Sequence, residues 1–210
     1  MLVHGAIIPP RAVLESVAEV VRSVPEPQAS DPAPSKGLRG RFGRHKGDTE
    51  EVPAAPLLEH VPVDSMHFPI TGFGNLTAQD ANRVADAIEE AAAGWAAPEV
   101  WFAGGAALDF PGDWSVWARL DGDLDALGTI ARGVTACVEG LGLFVDRRAF
   151  RPMLSVATVT PRTTGPYLEQ VVAALDAHHG EPWVADVALM KDTFVNQRSE
   201  LVEYRRIAAG

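Results

Sequence analysis

An α+β fold with a coarse internal duplication is what this sequence predicts, on three observations. Two strand-like segments match each other, Met66-His67-Phe68-Pro69-Ile70 and Arg151-Pro152-Met153-Leu154-Ser155-Val156, each following a turn and each leading towards a helix-like stretch. The elements run strand, helix, strand, helix, strand, strand, helix, strand, helix, strand, strand, so each half of the chain holds one of the two. With 47 per cent hydrophobic and 22 per cent charged residues, the chain has the make-up of an ordinary globular protein. Its 210 residues suffice for one domain with a full core, or for two small lobes sharing an interface.

The apolar run Leu2 to Ile8 reads as a first strand, stopped at Pro9-Pro10 where the chain has no N–H to give a ladder. Val13, Val17, Val20 and Val21 recur at helical spacing and predict an amphipathic helix over 11–23. From Pro25 to Pro56 the chain is rich in Pro, Gly, Ser, Ala and charge without an apolar period. Such a stretch buries too little surface to offset the entropy of ordering it, which predicts a disordered insertion. After the first matching segment, Gly72-Phe73-Gly74-Asn75 reads as a turn and Thr77 as an N-cap. Ala81, Val84, Ala85, Ile88 and Ala92 then supply a helical stripe. Val100–Ala103 and Trp114–Leu120 read as strands, and Leu124, Leu127, Ile130, Ala131, Val134 and Val138 as a long helix ending near Gly140 and Gly142. The second matching strand spans Phe150–Val159. A helix over Tyr167–Ala177 and strands over Val184–Met190 and Leu201–Ile207 complete the order.

The formal net charge of −10 argues against a broad, sequence-independent hold on nucleic acid, which needs many cations to displace counterions from phosphates; a local basic cleft stays open. Cys137 is the only cysteine, which rules out an intramolecular disulfide and a Cys-rich metal site. Its setting in Val134–Val138 reads as a helix face, as a small buried hydrophobe or else a reactive thiol. No apolar run approaches the ~20 residues that span a bilayer, and the N-terminal residues lack the pattern of a secretory signal. The expected location is cytoplasmic.

The two segments resemble the signature motifs of the two-histidine phosphoesterase superfamily, which includes 2′-5′ RNA ligase-like proteins and RNA 2′,3′-cyclic phosphodiesterases. Each motif of that family reads His, any residue, Thr or Ser, then an apolar residue. The best-matching stretch is Arg148-Ala149-Phe150-Arg151-Pro152-Met153-Leu154-Ser155. Here the first motif keeps His67 and has Pro69 at the hydroxyl position, while the second keeps Ser155 and has Met153 at the histidine position. The resemblance implies two pseudo-symmetric lobes over residues 1–210, with antiparallel sheets lining a central groove, helices outside, and 25–56 as an insertion. It also implies attack on a 2′,3′-cyclic phosphodiester, or its reversal, without metal or nucleotide cofactor. The expected ligand is a nucleotide or RNA end with a terminal or cyclic phosphate. Activity is expected to be reduced or lost, because a thioether transfers no protons. The alternative is a non-catalytic descendant binding a nucleotide, RNA or protein.

The resemblance makes His67 the candidate general acid or base and Ser155 a donor to phosphate oxygens; a packed relic and a strand serine bonded to a neighbour are the bland readings. Arg151 flanks the second motif, and its guanidinium fork suits phosphate. Thr71, on the same alternation as His67 and Pro69, is a candidate stand-in for the missing hydroxyl, although about 7 Å further along the strand. His4 corresponds to a groove position where the family carries an aromatic residue. It would stack on a base, supply a proton, or be a partly buried strand histidine. Thr158 stands where the family often has a further basic residue. Arg147 and Arg148 read as surface charges. Trp95, Trp101, Trp114, Trp117 and Trp183 read first as packing, with a groove stacking role for one of them as the alternative. In the insertion, Lys36, Arg39, Arg41, Arg44 and Lys46 form a basic cluster, either a solvated tether or an arm for RNA phosphate, an acidic group or a protein partner. Excising most of the Pro25 to Pro56 insertion is expected to leave the thermal unfolding midpoint nearly unchanged; loss of soluble folded protein would show that the segment is packed.

Overall fold

The computed structural model describes residues 1–27, 55–195 and 198–210; the basic cluster and nearly all of the insertion lie outside the described residues. The elements are β1 (Leu2–Ile7), α1 (Arg11–Arg22), β2 (Leu58–His60), a 3-10 turn at Val63–Ser65, β3 (Phe68–Asn75), α2 (Ala78–Ala92), β4 (Glu99–Ala107), β5 (Ser115–Gly122), α3 (Leu124–Gly140), β6 (Met153–Val159), α4 (Gly165–Ala177), β7 (Trp183–Val184), β8 (Val187–Val195) and β9 (Arg198–Ile207). Local chemistry explains where the helices start and which side they bury. Pro10 stops β1 and leads straight into α1, whose Val13, Leu14, Val17, Ala18 and Val21 form one buried stripe. Thr77 caps α2 by accepting the Asp80 N–H at 3.1 Å, and the buried stripe is Ala81, Val84, Ala85, Ile88 and Ala92.

Two antiparallel sheets result, in the orders β3-β1-β8-β9 and β2-β6-β5-β4-β7. The triplets β3-β1-β8 and β6-β5-β4 share one plan, a motif strand on a central strand on a third strand, with a helix in the chain between the first two, and this is the duplication visible in the sequence. Helices α2 and α3 lie against the first sheet, α1 and α4 against the second. Each layer hides its apolar face against the other kind of element, as α+β architecture requires. The core is continuous between the lobes: Phe68 of one sheet stacks on Phe102 of the other with ring centroids 6.0 Å apart, and both are essentially fully buried. No helix among the described residues is long and apolar enough to cross a membrane.

Four sequence expectations need correction. Strand β2 has no counterpart among them; three residues are too few to show a period, and it forms because Leu58–His60 pair with Val159–Ala157. Gly72–Asn75 is no turn but the end of β3, held by pairing of Gly72 and Gly74 with His4 and Val3. The second motif strand begins at Met153, so Phe150 and Arg151 belong to the preceding loop. The strand expected over Val184–Met190 is split: Trp183–Val184 pair with β4 in one sheet and Val187 onward with β1 in the other, the chain crossing between sheets at Ala185–Asp186.

Gly122 ends β5 with φ +107° against the Glu99 carbonyl, where any Cβ would overlap backbone. Gly122→Ala is expected to cost about 2–4 kcal/mol in urea unfolding, from the left-handed conformation and the overlap together.

Candidate functional site

A cavity of about 760 Å³ opens between the concave faces of the two sheets. One wall carries Leu2, His4, His67, Pro69, Thr71 and Gly72, the facing wall Phe110, Trp117, Arg151 and Met153, and the α3–β6 loop adds Asp146, Arg148 and Ala149. His67 and Met153 thus face one groove from the two motif strands. Alternation places them there: Phe68 and Ile70 point into the core on β3, as do Leu154 and Val156 on β6, leaving His67, Pro69, Met153 and Ser155 for the opposite face.

The geometry of the first lobe is dominated by two imidazoles. His67 directs Nδ1 at the Ser65 carbonyl oxygen, 2.9 Å away; a carbonyl only accepts, so Nδ1 holds the proton and Nε2 of the neutral ring is the free acceptor. His4, on β1, lies with its ring centroid 5.6 Å from that of His67. Burial, then the neighbouring His67, push the His4 pKa below its ordinary value, against a smaller opposing pull from Asp192. His4 is therefore neutral at pH 7 and next to the other imidazole.

Thr71 corrects the expected alternation. The β1–β3 register shifts between Gly5 and Ala6, pairing Gly5 with Thr71 and Ala6 with Pro69 and leaving Ile70 as the extra residue. Such a bulge reverses the facing of the residues beyond it on the strand. Thr71 is consequently only 5% exposed, and its hydroxyl donates to the Asp146 carbonyl oxygen at 2.6 Å. It borders the groove but does not replace the hydroxyl missing at Pro69.

On the second lobe Met153 presents its thioether where the motif would place an imidazole. Ser155 lies on the same face of β6 and directly across from Trp117 of β5, half-buried and beside rather than among the groove-lining residues. Arg151 stacks its guanidinium 4.4 Å above the centre of the Phe110 ring. No carboxylate pairs with it among the described residues, whereas Arg148 is bound to Asp146 at 2.8 Å. Among the described residues no three His, Cys, Asp or Glu side chains converge as metal ligands. Cys137 sits on α3 away from the groove, half-buried, its thiol 3.6 Å from the Ala87 carbonyl oxygen and its pKa pushed up by burial, which agrees with a packing role.

Sequence reasoning undervalued Trp117 and did not single out Phe110. The signal for Trp117 is present: Val116, Ala118 and Leu120 are buried, so strict alternation sends Trp117 to the groove. Phe110 lies in the β4–β5 connection, where no periodicity operates.

No family model matches the sequence, and no curated protein matches it. Solved structures do match in three dimensions along nearly the whole chain. A Thermus thermophilus protein, TT0787, aligns with a TM-score of 0.61 at 15% identity, over 99% of this chain and 97% of its own. Escherichia coli LigT complexed with 3′-AMP gives 0.62 at 12% identity, over 99% and 97%. A structure described as a phosphoesterase gives 0.59 at 13%, over 99% and 98%. LigT has also been crystallised with phosphate, NADP+ and ATP. At these identities the likeness establishes a shared fold: the chain has the architecture of LigT-like phosphoesterases.

The lowered pKa of His4 has a consequence for stability. Because the folded state holds this proton less tightly than the unfolded chain, its ionisation contributes nothing above the ordinary histidine pKa of 6.5 and lowers stability as pH falls from there towards the folded-state value. Between about pH 7 and 5 the urea midpoint of His4→Phe is expected to fall less steeply than that of the wild type. Parallel profiles would show that His4 is solvated.

Proposed function

We propose that the groove binds the phosphate-bearing end of a nucleotide or RNA, and that the proton-transfer chemistry associated with two facing histidines is reduced or lost. The observation that carries this reading is the pair His67 and Met153 on opposite walls of one cavity. In-line displacement at phosphorus puts the attacking and leaving oxygens on opposite sides. The acid and the base must each reach one of them, within about 3 Å. Met153 can do neither job, so one side of the phosphorus has no proton carrier from the second motif. Binding needs less. Arg151 offers a cation without a carboxylate partner among the described residues, and His67 Nε2 and the His4 ring supply polar contacts on the other wall. That LigT has been crystallised with 3′-AMP, phosphate, NADP+ and ATP supports a nucleotide or phosphate ester as the ligand class.

One observation favours a second reading, a slow cyclic phosphodiesterase. The two imidazoles stand 5.6 Å apart and one is neutral at pH 7, which makes His4 the candidate replacement for the missing partner. Both sit on the first lobe, however, which places them on one side of a phosphate held between the walls.

Titration with 3′-AMP is expected to show binding, weakened about tenfold or more in Arg151→Ala through loss of a charge-assisted contact. Adenosine 2′,3′-cyclic phosphate is expected to bind and persist. Pro69→Thr combined with Met153→His should then produce measurable hydrolysis, since both residues already stand in the groove. Wild-type turnover abolished by either His4→Ala or His67→Ala would establish the second reading instead.

A further inference from the structure

The β4–β5 connection builds a feature that the two motifs do not include. Asp113 organises it with both carboxylate oxygens. Oδ2 accepts the Asp109 N–H at 3.0 Å and the Trp117 indole N–H at 2.7 Å, and Oδ1 accepts the Ser115 N–H at 2.9 Å. Burial alone would raise the carboxyl pKa, yet these donors more than offset it and hold it below the ordinary value. The Asp113 N–H in turn bonds the Phe110 carbonyl oxygen at 3.0 Å, closing the turn. Phe110 and Trp117 are brought together, ring centroids 6.3 Å apart and planes tilted by 40°, and both line the groove.

Two properties of this wall bear on what it receives. Trp117 has its only polar atom engaged, so towards the groove it shows carbon surface and no donor. Its cross-strand neighbours on the same face are Ala106 and Ser155, both too small to cover an indole. An aromatic surface left open by small neighbours, bordering a groove cation and facing two imidazoles, suits a flat partner attached to an anion.

We propose that Phe110 and Trp117 form a stacking site for the base of the bound nucleotide, and that Asp113 is the positioning residue that fixes it. This rests on the nucleotide reading of the groove and specifies its ligand. With the Trp117 indole N–H engaged by Asp113, selection comes mainly from stacked area: purine nucleotides bind better than pyrimidine ones, while adenine and guanine bind alike.

The test compares 3′-AMP, 3′-GMP, 3′-CMP and inorganic phosphate on the full chain by calorimetry and phosphorus NMR. Wild type is expected to bind 3′-AMP and 3′-GMP alike and 3′-CMP more weakly. Phe110→Ala, which also removes the ring beneath Arg151, weakens both 3′-AMP and inorganic phosphate, 3′-AMP the more, whereas Trp117→Leu weakens 3′-AMP by about 10- to 100-fold and leaves inorganic phosphate within about twofold. Asp113→Ala repeats this pattern and shifts the Trp117 component of the fluorescence, and Asp113→Asn, which keeps one acceptor oxygen, recovers part of both. Equal losses for 3′-AMP and inorganic phosphate, or 3′-CMP binding as tightly as 3′-AMP, overturn the stacking site while leaving the phosphate reading in place. Failure of all four probes to bind the wild type overturns both.

Discussion

The groove depends on a two-point contact between the lobes. The Asp146 N–H donates to the Gly72 carbonyl oxygen at 2.9 Å, and the Thr71 hydroxyl donates to the Asp146 carbonyl oxygen. β3 is an edge strand, and these bonds satisfy part of an edge that would otherwise be open to foreign strands. They also fasten the segment leading into the second motif strand against the first motif strand. Asp146, Arg148, Ala149 and Arg151 reach the groove on this segment, so its width is set by a bond whose donor is the residue displaced by the β3 bulge. The hydroxyl that the bulge takes out of line with His67 and Pro69 is the one that holds the far wall.

The groove that this contact sets is chemically lopsided. The first lobe carries both imidazoles and the second carries aromatic surface, a thioether and one cation without a carboxylate partner among the described residues. A site built for acid–base displacement at phosphorus needs proton carriers at the attacking and the leaving oxygen, on opposite sides, while a site built for retention needs anchoring charge and contact area. The asymmetry is what the proposed binding role rests on.

Much of this architecture was legible in the chain because its signals are local and periodic. The stripes on α1, α2 and α3 and the Thr77 cap read directly as helices, and the paired motif segments carried the duplication and the facing of His67 and Met153. What escaped was set by pairing rather than by pattern. β2 is too short to have a period, Gly72–Asn75 becomes strand through its partners on β1, and the extra residue Ile70 breaks the alternation that would have put the Thr71 hydroxyl in line with Pro69. For Phe110 no sequence signal exists, since the turn that presents it is organised by a carboxylate three residues on. Arg151 was found through its motif, but the absence of a carboxylate beside it is visible only in three dimensions.

The interleaving of the sheets governs the order of assembly. β1, second strand of its sheet, is flanked by β3 on one side and by β8 on the other, so half of its ladder waits for residues at the opposite end of the described chain. A contact of such sequence separation carries a large loop-closure cost and slows folding. During synthesis the second sheet can gather β2, β6, β5 and β4 before β8 has left the ribosome, whereas β1 and β3 remain a two-stranded ribbon in which β1 still lacks its second partner. Until β8 arrives, the β1 flank of that ribbon is an open strand edge, the kind of surface through which incompletely folded chains pair with one another.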